Sequence, residues 1–247
     1  MGTLNSRGEI DPSQGVIITC LGKKRSGKSK MALLWFESYP YDRVVIDVNG
    51  TDGPHHARPG EQLVELHGNV DDLPTKWPEH LREDGQRMTL RYHPDAGSPT
   101  FLEDVDAVLG LAWRTGRVCV LIHETGLIAK SSKTPPHMLR MLQSNRHRQI
   151  TALFCAPRPH TMNTLVVGQA DLVYVFELPN RSDRETVADQ IGWERDDFHL
   201  AVAELGPHEY LRADTNENRP ATEDEPDLRL VHCPALPADV VAQLDRL

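Results

Sequence analysis

Eight residues near the amino terminus, GKKRSGKS from Gly22 to Ser29, have the types and spacing of a loop that holds a phosphate group. Gly22, Gly27, Lys28 and Ser29 fit the pattern G-x-x-x-x-G-K-[ST], and its required context is present. An apolar run, VIITCL (16–21), precedes the loop, and a segment of helical periodicity, SKMALLWFES (29–38), follows it. The two glycines let the chain curl so that successive N–H groups point inward, and the positive end of the helix adds its field. Lys28 is placed to reach the β- and γ-phosphates, and the Ser29 hydroxyl to ligate Mg²⁺. Lys23, Lys24, Arg25, Ser26 and Lys30 complete the candidate ATP-binding segment, most of them adding positive charge.

Hydrolysis would need a carboxylate at the end of a neighbouring strand to polarise water. RVCVLIHET (117–125) offers Glu124 in that role. The preceding position, where a carboxylate near the cation is expected, is His123, and a neutral imidazole is a poor substitute. Asp47, at the end of RVVIDV (43–48), is a second candidate for the metal.

Short β-branched runs alternate with helical segments, which predicts an α/β fold with a mainly parallel sheet covered by helices on both faces. Beside the three runs just named, MTLRY (88–92), ITALFCA (150–156) and LVYVFEL (172–178) read as strands. Helices are expected at 29–38, 101–115, 136–147 and 183–192. The alternation is interrupted by an irregular insertion at 49–87, with a short extended piece at QLVELHG. Residues 1–15 read as an extension, 16–212 as the main domain, 213–229 as an acidic linker, and 230–247 as a tail with a short helix that docks on a neighbour.

The 247 residues carry a net charge of −9, yet Thr125 to Ala170 contain no Asp or Glu. That window holds Lys130, Lys133, Arg140, Arg146, Arg148, Arg158 and three histidines, which implies a positive surface on an acidic protein. The bland alternative is a solvated helix face. The amino terminus lacks a signal-peptide layout and no apolar run is long enough to span a bilayer, so a cytoplasmic protein is expected. Four cysteines without a CxxC pair indicate neither a zinc knuckle nor a disulfide framework. His55 and His56 lack further ligands at metal spacing.

Taken together, the phosphate loop, the strand RVVIDVNG, the strand ending in His-Glu, and the stretch SNRHRQITALFCAPRPHTMNTLVVGQADLVYVFEL resemble the HerA/FtsK superfamily of DNA-pumping ATPases. Arg146, His147 and Ile150 match a family segment of the form R-H-x-x-I. CAPRP (155–159) stands where the family has ATQRP, and ELGPHEYLRAD (204–214) is similar to its last hairpin. The resemblance implies a RecA-like P-loop NTPase that binds ATP and Mg²⁺, assembles into a ring, commonly a hexamer, and translocates double-stranded DNA. It makes Arg146 a candidate trans-acting arginine finger, with Arg148 and Arg158 as alternatives. Lys130, Lys133 and Arg140 are then candidates to grip DNA phosphates in the pore. The size favours a minimal genome-packaging motor, partnered by a portal, vertex or membrane component, in the host cytoplasm or on the virion. His123 and Pro157 depart from the family at the hydrolytic apparatus, Pro157 standing for a polar residue that senses the γ-phosphate. A second reading is therefore an ATP-binding switch or assembly protein. A third, a small-molecule kinase, would use Arg58, Arg82, Arg87 and Arg91 in the insertion as a lid.

Overall fold

The computed structural model describes residues 11–50, 58–70, 87–215 and 230–246. Its centre is a nine-stranded sheet. In chain order the strands are β1 (Ile17–Leu21), β2 (Asp42–Ile46), β3 (Glu61–His67), β4 (Arg87–His93), β5 (Val118–Ile122), β6 (Thr151–Ala156), β7 (Leu172–Val175), β8 (Tyr210–Asp214) and β9 (Leu230–Cys233). They lie in the order β3-β4-β2-β5-β6-β1-β7-β8-β9. All neighbours from β3 to β7 are parallel, and β8 and β9 add an antiparallel edge. This is the α/β arrangement that the alternation predicts.

Helices cover both faces because each central strand alternates its apolar side chains between two cores. Ile17 and Leu21 of β1 join one core, with α2 (Phe101–Thr115) and α4 (Pro136–Arg148). Val16, Ile18 and Cys20 join the other, against α1 (Lys28–Ser38). The same first face also receives α6 (Arg181–Ile191) and α7 (Arg195–Ala203) through Val187, Ala188, Phe198 and Val202. Two single turns, α3 (Thr125–Ile128) and α5 (Leu165–Gly168), follow β5 and precede β7.

The six expected strands and four expected helices are all present, with ends shifted by a few residues at most. The extended piece in the insertion is β3, an edge strand paired with β4 over its whole length. The rest of the insertion, including His55, His56 and Arg82, lies outside the described residues. α7, β9 and the two single turns were not expected. The C-terminal helix, α8 (Ala238–Leu244), forms as expected but packs on α1 of its own chain, where Leu244 is buried and Val240 and Leu236 are partly so.

Parallel topology decides what can meet. Every loop that follows one of the parallel strands emerges on the same edge of the sheet, which places residues 22–27, 47–50, 123–124 and 157–160 together. Residues that precede those strands lie on the opposite edge.

Candidate nucleotide site

The loop after β1 folds as the pattern demands. Gly22 and Gly27 have φ of 152° and 110°, and a Cβ on Gly22 would come within 2.7 Å of both Phe176 Cβ and Ser26 Oγ. A Cβ on Gly27 would meet the Phe176 ring at 3.0 Å. Glycine is thus required by backbone conformation and by space. The loop is anchored by Gly22 N donating to Ala156 O and Lys23 N donating to Glu177 O, at 3.2 and 3.0 Å. Gly27 caps α1 without a side-chain hydrogen bond. The N–H groups of Gly27, Lys28, Ser29 and Lys30 consequently donate to nothing among the described residues.

Lys28 is 7 % exposed, and no carboxylate among the described residues pairs with it. The Ser26 hydroxyl is buried without a hydrogen-bond partner among the described residues. An ammonium and a hydroxyl desolvated in this way are costly unless a ligand satisfies them. Together with the free helix N–H groups they form a cradle for an anion with several acceptor oxygens. The Ser29 hydroxyl likewise makes no hydrogen bond among the described residues, so it is available to Mg²⁺ and fits that group. Lys23 pairs with Glu177 at 2.5 Å, and Lys30 pairs with Asp245. Lys24 and Arg25 are exposed, and Arg25 takes a left-handed φ of 63°.

Glu124 sits two strands away, because β6 lies between β1 and β5. Two strand spacings, about 9–10 Å, leave room for a phosphoryl group and a water. Glu124 is half-buried with a left-handed φ of 55°, which turns its side chain out of the strand direction. Asn49 Nδ2 lies 3.5 Å from its Oε1. Sequence reading missed Asn49, whose only signal was its place three residues beyond the end of β2.

His123 is 1 % exposed, and its N–H donates to Ile46 O at 3.1 Å. Its imidazole interacts with the Cys155 thiol, which faces Cys20 across β1 and β6. The hydrogen bond from Cys20 draws Cys155 below the ordinary thiol range, with His123 adding to the effect; burial pushes Cys20 up. Asp47 is fully buried, and its carboxylate is already engaged. Arg91 Nη2 donates to Oδ2 at 3.0 Å, and Gly50 N to Oδ1 at 2.9 Å. That arrangement does not fit a metal ligand. Pro157 follows β6 on the same edge and brings no side-chain donor.

The three candidate finger arginines separate by edge. Arg146 and Arg148 precede β6 and lie on the edge opposite the phosphate loop. Arg146 is hydrogen-bonded to Asp171, and Arg148 to the carbonyls of Trp113 and Arg114. Arg158 follows β6 and is half exposed on the loop's own edge. Its Nε donates at 2.9 Å to the fully buried Asp183, which also accepts from the His160 N–H at 3.2 Å.

The basic window is less positive in space than in sequence, because acidic residues from other segments reach it. Asp106 holds His137, Asp171 holds Arg146, and Asp183 holds Arg158 and His160. Lys130, Lys133 and Arg140 remain exposed, Lys133 with Glu103 4.0 Å from its ammonium. The segment 129–135 is an ordered turn: Asn163 N donates to Ala129 O at 2.8 Å, and Asn163 Nδ2 to Thr134 Oγ1 at 3.1 Å. Of the arginines expected to form a kinase lid, Arg58 binds Glu37 and Arg91 binds Asp47.

No protein-family model matches the chain, and no curated protein sequence does. Solved structures do match. The genome packaging NTPase B204 from Sulfolobus turreted icosahedral virus 2 in complex with AMP superposes with a TM-score of 0.63 at 16 % identity, covering 92 % of this chain and 100 % of that one. The same protein in complex with AMPPCP gives 0.61 at 17 % identity, with the same coverage. B204, the DNA-packaging ATPase from Sulfolobus Turreted Icosahedral Virus, gives 0.61 at 17 %, covering 91 % and 99 %. The resemblance carried by the phosphate loop and the later strands therefore holds at the level of fold: this chain has the α/β fold of a genome-packaging P-loop NTPase.

Proposed function

We propose that the protein is an ATP-dependent translocase of double-stranded DNA, a packaging or transfer motor that acts as a ring of identical subunits, most simply a hexamer, in the cytoplasm. The observation that carries this reading is the cradle at the start of α1. Among the described residues, a buried lysine without a carboxylate, an unpartnered buried hydroxyl and four free N–H groups converge where a triphosphate would lie. Mg²⁺ held at Ser29 would offset phosphate charge, its other ligands being phosphate oxygens and water. Glu124, held by Asn49, takes a proton from the attacking water. Arg158 is the better placed finger in a ring whose subunits share the loop-bearing edge, with Asp183 fixing its direction; Arg146 could serve only a neighbour packed against the opposite edge. Lys130 and Lys133, exposed beside Leu127, would grip backbone phosphates without reading bases, helped by Arg140. A portal or vertex component would be the docking partner.

One observation favours the switch reading instead. His123 occupies the position of a carboxylate, and Asp47 is spent on Arg91, so Glu124 is the carboxylate left at the γ-phosphate end. ATP hydrolysis measured with and without double-stranded DNA decides between them. Stimulation that is lost in Lys28→Ala and Glu124→Gln establishes the motor. Tight ATP binding without turnover, with turnover appearing in His123→Asp, establishes the switch.

A further inference from the structure

We infer that residues 230–246 form one wall of a nucleobase slot, so that a purine base and the C-terminal tail hold each other in place. This rests on the phosphate-loop reading above and extends it to the other end of the ligand. A cavity of about 460 Å³ opens against the first turn of α1. It is lined by Gly27 to Lys30, by Phe176 and His208, and by Leu236 and Val241 of the tail. Phosphates bound at the free N–H groups of Lys28 and Ser29 leave the sugar and base of the same molecule beside Lys30, where this cavity lies. A base is flat with apolar faces, and its surroundings here are largely apolar. A neighbouring cavity of about 600 Å³ shares Arg25 and His208 but is lined by Lys23, Glu177 and Arg184, which suits charged groups instead. His208 divides the two, with a left-handed φ of 65° and its ring Nδ1 3.3 Å from the Ser26 carbonyl oxygen.

The tail is attached to the helix that opens the phosphate site. Leu244 is buried in the core under α1, Leu236 and Val240 pack on it, and Asp245 pairs with Lys30 in its first turn. A base in the cavity that Leu236 and Val241 line adds buried apolar area to that docking. Because coupling between binding events is reciprocal, whatever the base does for the tail, a docked tail does for base affinity.

Calorimetric titration of the full chain with ATP and with inorganic tripolyphosphate, both with Mg²⁺, tests this. ATP is expected to bind at least ~10-fold more tightly than tripolyphosphate. Leu236→Asp and Val241→Asp should each remove most of that gain while tripolyphosphate affinity stays unchanged, which also shows that the variants are folded. Amide exchange over 236–245 should slow with ATP and not with tripolyphosphate. Equal affinity of the wild-type chain for the two ligands, or variants that weaken both alike, would overturn the inference and leave the phosphate site standing. Binding of neither ligand would remove the phosphate-site reading and this one with it.

Discussion

The two edges of the sheet are built from the same strands and treated oppositely. On the amino edge, charged and polar groups are satisfied within the chain. Asp171 accepts from Arg146 and from Ile17 N, Asn145 Nδ2 donates to Gly15 O and Ile150 O, and Asp42 accepts from Met88 N. On the carboxyl edge, Lys28 and the Ser26 hydroxyl are buried with no such partner among the described residues. One edge holds the fold together, and the other keeps its polar groups for a ligand at a cost in stability. Asp47 shows that the division is by residue as well as by edge, since it lies among the site's loops yet is fully engaged by Arg91 and Gly50.

Four measurements would break or sharpen this contrast. Glu124→Gln should lower ATP turnover by about 10²–10³-fold with ATP affinity nearly unchanged, which steady-state kinetics beside calorimetry would read. Unchanged turnover would move the water-activating role elsewhere. Lys28→Met should weaken nucleotide binding about 100-fold and, with opposite sign, raise the stability of the ligand-free chain by about 1 kcal/mol, because an uncompensated buried charge is gone. A fall in ligand-free stability would mean that Lys28 is satisfied without ligand, and the contrast would fail. Arg146→Ala should cost about 1–2 kcal/mol in denaturant unfolding, below the usual figure for a broken buried pair because the guanidinium is half exposed. Nucleotide affinity should not move. Unchanged stability with lost turnover would instead assign Arg146 to a neighbour's site.

The smallest effect concerns pH. Burial, then Arg91, lowers the pKa of His93 below the ordinary histidine value. The folded state therefore takes up its proton at lower pH than the unfolded state. Its contribution is intact above about pH 6.5 and is lost as pH falls toward the folded value. Melting profiles across that range should show a small loss of stability toward the acid side that His93→Gln removes. A difference that persists in His93→Gln would assign the effect to another group.

What could be read in the chain followed from how local the information was. The phosphate loop and α1 are encoded by neighbouring residues, so pattern and placement agree. The strands of the central sheet are apolar on consecutive positions, which marks them without reference to anything distant. Edge assignment was within reach for Arg146, since a residue that precedes a parallel strand cannot share an edge with a loop that follows one. The partners were not within reach. That Asp171, Asp183 and Asp106 discharge the basic window, that Arg91 occupies Asp47, and that Leu236 and Val241 face Lys30 are pairings across 25 to more than 200 residues. Sequence spacing carries no trace of them.

The pairing of β1 with β6 and β7 also sets when the molecule can work. Val16 N donates to the Thr151 hydroxyl 135 residues away, and Ile17 N to Asp171 154 residues away. A chain emerging from the ribosome carries its phosphate loop early, but the second of the two strands that flank β1, β7, arrives only once more than two-thirds of it has been made. Closing such distant contacts is slow compared with forming local helices. The loop waits as an unsupported basic segment until its neighbours are synthesised, and nucleotide, which binds only the finished site, would pull the last stage of folding forward.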